Sequence, residues 1–247
     1  MPVRPDEAAP PPGSPPVRAV LFDAAGTLIR PREGPGVVYA RAASRQGIAI
    51  SPWRLDDAFV RALRAAPPMA FPEAPRKARP GLEKAWWRER LREVLRAADS
   101  TARLPDFDAF FEEVFDLYAR PDAWEPVAGA REVPAALRRR GLRTGVLSNF
   151  DHRLPRILEG LGLASGFDAV VLPVETGLLK PDPGAFLAAA TALGVPPSAC
   201  ACVGDDPQLD LEGARKAGMR PLPIDPAASL WDLPDALGAL GAVERSR

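Results

Sequence analysis

Cysteine is nearly absent from this chain of 247 residues, which has two, Cys200 and Cys202. They stand two apart in an apolar run, so they share one face of a strand and cannot bridge each other. The expectation is two small buried thiols in a reducing compartment, hence a cytoplasmic location. Histidine is scarcer still: His152 is the single example, and it is read as a surface residue. No apolar run approaches the roughly 18 residues of a membrane span, and no basic-then-apolar leader is seen. Net charge is lacking too. Lys and Arg number 32 against 32 Asp and Glu, so neither a nucleic acid nor an anionic membrane is expected as a partner.

What is there describes an ordinary soluble globular protein, 47% apolar and 26% charged. The length suits one large domain or two modest ones. The 30 prolines fall mostly between elements, where they stiffen loops. Residues 1–16, rich in proline and alanine, read as a disordered tail.

Ala19 to Asp23 reads as an apolar strand ending in a carboxylate. Four helical patterns follow: Val37 to Gln46, a stretch capped by Ser51 that runs to about Ala66, Glu83 to Ala98, and Pro105 to Ala119. The stripes Trp87, Leu91, Val94 and Phe107, Phe110, Phe111, Val114 read as core. After Trp124 the pattern becomes strand and helix in alternation: strands at 142–147, 169–172, 199–203 and 221–224, with helices between them. Alternation of this kind implies a parallel sheet with right-handed crossovers. The expected architecture is α/β, a three-layer Rossmann-like core formed by residues 17–32 and 123–247, with a four-helix cap inserted at 33–122.

Polar residues gather at the carboxyl ends of these strands, where a parallel sheet opens its crevice: Asp23, Ser148, Lys180, and the group Asp205, Asp206, Asp210. Each type suits phosphoryl transfer. A carboxylate can attack phosphorus. Clustered carboxylates call for a cation, and Mg²⁺ prefers oxygen ligands and phosphates. A lysine and a small hydroxyl can neutralise and orient phosphate oxygens. The turn after Asp23, through Gly26, offers amides to an anion.

Taken together, these residues resemble the haloacid dehalogenase superfamily from about Val17 to Leu240. Asp23 matches the nucleophile and Thr27 the threonine of the first motif. Ser148 in Leu-Ser-Asn matches the second motif, Lys180 in Leu-Lys-Pro-Asp-Pro the third, and Gly204-Asp205-Asp206 with Asp210 the acidic fourth. The stretches 66–72 and 148–151 are similar to the branch that includes rhythmically expressed gene 2. The resemblance implies catalytic roles for Asp23, Thr27, Ser148 and Lys180. It implies an Mg²⁺ site from Asp23, the carbonyl of Ala25, Asp205 and Asp210. Gly26, Ser148, Asn149 and Lys180 would hold a small phosphorylated metabolite. Met69 and Phe71, in a loop between cap helices, would close over it. A monomer or homodimer is expected.

One residue departs from the pattern. The phosphatases of the superfamily read Asp-x-Asp, and here the second aspartate is Ala25. Alanine keeps the carbonyl for the metal and loses the carboxyl for proton transfer, which is typically worth about 10²–10⁴ in rate. Alkyl phosphates would suffer most, aryl and acyl phosphates least. Three readings stay open at this point. The first is a Mg²⁺-dependent hydrolase of phosphate monoesters or acyl phosphates. The second is a catalytically degenerate relative that binds a phosphate ligand or a protein. The third is hydrolysis of a carbon–phosphorus or carbon–halogen bond, since Asp23-Ala24-Ala25-Gly26-Thr27 also matches phosphonoacetaldehyde hydrolases. Those enzymes use a cap lysine, and Lys77 and Lys84 are the two lysines available in this cap.

Overall fold

A computed structural model describes residues 15–225, 227 and 229–239. The expected tail therefore lies outside the described residues, apart from Pro15 and Pro16. Strand β1 (Ala19–Phe22) is four apolar residues, all buried. β2 (Ile29–Pro31) follows it, and β3 (Trp124–Pro126) pairs antiparallel with β2, Ile29 opposite Pro126.

Between β2 and β3 run four helices, α1 (Pro35–Ser44), α2 (Pro52–Ala65), α3 (Arg79–Ala98) and α4 (Phe107–Leu117). They share one apolar cluster that includes Tyr39, Leu55, Leu91, Val94, Phe110 and Phe111. The periodic stripes read from the sequence supply these residues. α4 starts where Asp106 accepts the N–H of Ala109 at 2.9 Å. α3 begins earlier than its stripe, because Pro80 is compatible with a first helical turn.

The rest of the chain alternates: α5 (Glu132–Arg139), β4 (Arg143–Leu147), α6 (Leu154–Gly160), β5 (Ala169–Val171), α7 (Pro173–Thr176), α8 (Pro183–Leu193), β6 (Cys200–Gly204), a π-helical turn (Pro207–Glu212), α9 (Gly213–Lys216), β7 (Arg220–Pro223) and α10 (Leu233–Ala239). The five parallel strands lie in the order β5-β4-β1-β6-β7, with β1 at the centre. Alternate residues of β1 serve opposite faces. Val20 and Phe22 join a cluster with Leu137, Ile157 and Leu237, whereas Ala19 and Leu21 join Phe186, Ala189 and Ala214. Helices thus cover the sheet on both sides, as a buried parallel sheet requires. Cys200 and Cys202 are buried on the α8 side, and burial pushes the Cys200 thiol up to about 11.

Two features were not legible beforehand. The β2/β3 pair escapes because each three-residue strand contains a proline, the residue least expected in a ladder. It ties the two crossings into the helical segment, extended by Arg32 N–H to Ala123 O and Val127 N–H to Leu28 O, both 2.9 Å. The helix expected from Gln208 instead opens as the π-helical turn, a form often found at functional sites.

Candidate active site

Asp23 directly follows β1, and its N–H is held by Val203 O of β6 at 2.9 Å. Ser148 follows β4 and Asp205 follows β6, so strand order alone brings them to one edge. Lys180 reaches the same point from the loop before α8. Its Nζ donates to Asp23 Oδ1 at 2.6 Å and to Asp210 Oδ1 at 2.5 Å, and all three side chains are buried. Burial alone would weaken the Lys180 ammonium, but the carboxylates of Asp23 and Asp210 outweigh it and hold the lysine pKa above its usual range.

The acids are crowded. Asp23, Asp205 and Asp210 each offer an oxygen within 4.8 Å of the others. Burial raises the Asp205 pKa and the charge of Asp23 adds to the rise. Burial pushes Asp210 up to about 6, against the pull of Lys180 and with the push of Asp23. Two glycines make the crowding possible. Gly26, at φ 98°, would bring a Cβ to 2.6 Å from the Asp205 carboxylate, and a Cβ on Gly204 would come to 2.3 Å from that of Asp210.

Several expected residues brace the site through their own hydrogen bonds. Thr27 is buried and donates to Asp205 Oδ1 at 3.2 Å. Asn149 spends both ends of its amide on Lys180, accepting its N–H at 2.7 Å and donating to its carbonyl at 2.9 Å; it positions the lysine. Gly26 closes the turn after Asp23. Its N–H donates to Ile29 O at 2.9 Å, so that amide is not available to an anion. Among the described residues, the N–H groups of Ala24 and Ala25 and the carbonyl of Ala25 find no partner. Asp206 accepts the N–H groups of Gln208 and Leu209, both at 2.8 Å, and so caps the π-helical turn. Asp210 is the member of that pair that reaches the site, and its second oxygen takes Asp206 N–H at 3.1 Å.

Above these groups is a cavity of about 430 Å³. Its floor includes Asp23, Ala25, Ser148, Lys180 and Asp205, and its upper wall is aromatic: Tyr39, Phe59, Trp87, Phe111, Phe115 and Tyr118. A network centred on the buried Asp151 braces the wall. Trp87 Nε1 donates to Asp151 Oδ2 at 2.7 Å, and Arg153 donates to both Asp151 oxygens, at 2.8 and 2.6 Å. Against its own desolvation, Arg153 holds Asp151 below the usual carboxylate range. The Arg153 guanidinium also lies 3.9 Å over the Phe115 ring.

Met69 and Phe71 do not line this cavity. Met69 is buried and Phe71 half-buried in a loop that Arg79 pins to α7. The Arg79 guanidinium donates to Ala74 O at 3.1 Å and to Glu175 O at 2.8 Å. The wall expected from that loop is built by the insert helices instead. Lys84 is turned away as well, paired with Glu112 at 2.6 Å. His152 is not a free surface residue: it binds Glu83 of α3, as described below. A side chain shared between two segments leaves no local pattern, so spacing marked Trp87 only as a core position and carried no sign of Arg153 or Glu83.

A family model described as haloacid dehalogenase-like hydrolase matches residues 17–218. The chain belongs to the haloacid dehalogenase-like hydrolases. Haloacid dehalogenase-like hydrolase domain-containing protein 3 of Bos taurus is 34% identical over 225 residues, covering 85% of this chain and 85% of that protein. The rhythmically expressed gene 2 protein of Drosophila melanogaster is 29% identical over 211 residues, 81% of this chain and 80% of its own. This bears out the similarity read from residues 66–72 and 148–151. Among solved structures, a HAD phosphatase from Thermococcus onnurineus superposes with a TM-score of 0.61 at 22% identity, covering 90% of this chain and 99% of its own. That likeness is one of fold. No helix among the described residues of this hydrolase is long and apolar enough to cross a membrane.

Proposed function

We propose that this hydrolase is a Mg²⁺-dependent phosphohydrolase acting on a small phosphorylated metabolite through an aspartyl-phosphate at Asp23. The observation that carries this reading is the buried Lys180 ammonium, 2.6 Å from Asp23 Oδ1 and bonded to Asp210, at the floor of the cavity. An ammonium there orients the attacking carboxylate and neutralises charge that phosphate oxygens bring in. The free N–H groups of Ala24 and Ala25 and the hydroxyl of Ser148 are suited to receive those oxygens.

The donor set fits Mg²⁺. All the candidate ligand atoms are oxygens, three carboxylates lie within reach of one ion, and burial, with the charge of Asp23 beside it, disfavours the Asp205 carboxylate that a cation would stabilise. Asp23, Asp205 and the unused Ala25 carbonyl would hold it, with Asp210 bound to Lys180. When bound, the ion supplies charge neutralisation for the phosphate. In the first step an Asp23 oxygen bonds to phosphorus and the ester oxygen departs. In the second, water attacks phosphorus and the Asp23 carboxylate is released. Ala25 gives no proton to the first step and takes none in the second, and Asp151 is no substitute because Arg153 and Trp87 occupy its oxygens.

Intact-mass measurement after rapid quench tests this. Acetyl phosphate with Mg²⁺ should add one phosphoryl group to the protein, and Asp23→Asn should accept none. Absence of the adduct in the wild type favours the non-enzymatic reading. The carbon–phosphorus reading gains no support, because the one lysine lining the cavity among the described residues is Lys180.

A further inference from the structure

Two features on opposite sides of the cavity constrain the same part of the substrate. Around the reacting phosphate, Ala25 offers no carboxyl, Asp151 is held by Arg153 and Trp87, and Asp210 is bonded to Lys180. Asp206 spends one oxygen on the cap of its own turn, and Asp205 spends one on Thr27 and belongs to the acidic cluster. A leaving group that departs as an anion stable in itself needs a proton from none of them.

In the upper wall, the groups beside the leaving group are rings: Tyr39, Phe59, Trp87, Phe111, Phe115 and Tyr118. The charge present there is one closed ion pair, Asp151 with Arg153, whose partners are already satisfied. The Tyr118 hydroxyl donates to Glu33 O at 3.3 Å. A polyol or an amino acid would set hydroxyls or charges against ring faces and leave each such polar group unpaired. An aromatic ring would instead find edge and face contacts of the kind the wall already makes internally, such as Tyr39 with Phe59 at 6.0 Å between centroids.

We infer that the substrate is an aryl phosphate monoester, its ring packed among Tyr39, Phe59 and Phe111 and its phenolic oxygen leaving as a delocalised anion. This rests on the reading of Asp23 as phosphoryl acceptor. An Asp23 oxygen forms the bond to phosphorus while the bond from phosphorus to the aryl oxygen breaks, and that electron pair departs on the phenolate. Water then bonds to phosphorus as the bond to Asp23 breaks, its pair returning to the carboxylate. One proton of the water stays on inorganic phosphate, and the other balances the proton that phenolate takes from solvent.

The test is steady-state and rapid-quench kinetics with Mg²⁺ on 1-naphthyl phosphate, cyclohexyl phosphate and acetyl phosphate. The naphthyl ester should exceed the cyclohexyl ester in kcat/KM by about 10²-fold or more, the value of the missing acid. It should also exceed acetyl phosphate. Phe59→Ala should lower the ratio of naphthyl to acetyl kcat/KM by about 10-fold; Phe59→Leu, the gentler change, should move it the same way. Equal turnover of the cyclohexyl ester, or faster turnover of acetyl phosphate, with the adduct still on Asp23, overturns the substrate class and leaves phosphoryl transfer standing. No adduct with any of the three overturns phosphoryl transfer itself.

Discussion

His152 binds Glu83 twice: its ring Nδ1 lies 2.7 Å from Glu83 Oε2, and its backbone N–H donates to the same oxygen at 3.0 Å. Glu83 lies on α3 and His152 follows the loop after β4, so the contact clasps the helical insert to the sheet. Glu83 is fully buried and its second oxygen has no partner among the described residues. A buried carboxylate with so few donors depends on each one.

Removing the ring should therefore cost stability. His152→Ala is expected to lower the unfolding free energy by about 1–3 kcal/mol, the cost of leaving a buried polar group short of a donor. Urea denaturation followed by circular dichroism checks this. A change within about 0.5 kcal/mol, the range of ordinary surface substitutions, would show that the clasp contributes little.

Lys180→Met should be more severe. It leaves Asp23 and Asp210 buried without their cation, a loss of about 3–5 kcal/mol where one partner of a buried pair is removed. Thermal melts in a chelating buffer would register it. The same variant should form no phosphoenzyme, because no other side chain on the floor, among the described residues, carries a positive charge. A Lys180→Met protein that still traps phosphate on Asp23 would rule out the role given to this ammonium.

Ala25→Asp should restore turnover. Ala25 is exposed at the floor of the cavity, so a longer side chain has room there. In the wild type, a substrate with a good leaving group should give a burst of product and then a slow steady state as the aspartyl-phosphate waits for water. The variant should speed the second phase within the roughly 10²–10⁴ range of acid–base catalysis. Stopped-flow release of the phenol separates the two phases. A wild type with no burst and full multiple turnover would mean that another group supplies the base.

Mg²⁺ should stabilise the protein more at pH 7.5 than at pH 5. The folded pKa of Asp210 is about 6 and that of Asp205 is raised. Between the ordinary carboxylate value, about 3.9, and these raised values, the folded state binds more protons than the unfolded one. Without metal, the contribution of Asp210 is thus greatest at low pH and is lost as pH rises through about 6, and that of Asp205 falls in the same direction. Protons and metal compete for the cluster, so the rise in Tm on adding Mg²⁺ should grow through that window. Asp205→Asn should abolish most of the rise. An equal rise at both pH values, or in the variant, would place the metal elsewhere.

The sequence by itself determined the frame. An apolar run that ends in Asp23, and others that end before Ser148 and Asp205, become parallel strands because both faces can be buried. Their ends then meet whatever the connections do. The 3.6-residue stripes of α3 and α4 likewise determined an apolar face. Tertiary structure decided what each polar atom does. Asp205, Asp206 and Asp210 look alike in sequence, yet one joins the acidic cluster, one caps a turn and one holds Lys180, because a π-helical turn aims them differently. Asn149 and Gly26 look like ligands and are spent on Lys180 and Ile29. Met69 and Phe71 look like a lid and are held off the cavity by Arg79, while α1 to α4 supply the wall. Periodicity reports that a face is buried; which residues lie across it depends on how separate elements pack, and those contacts leave no trace in local spacing.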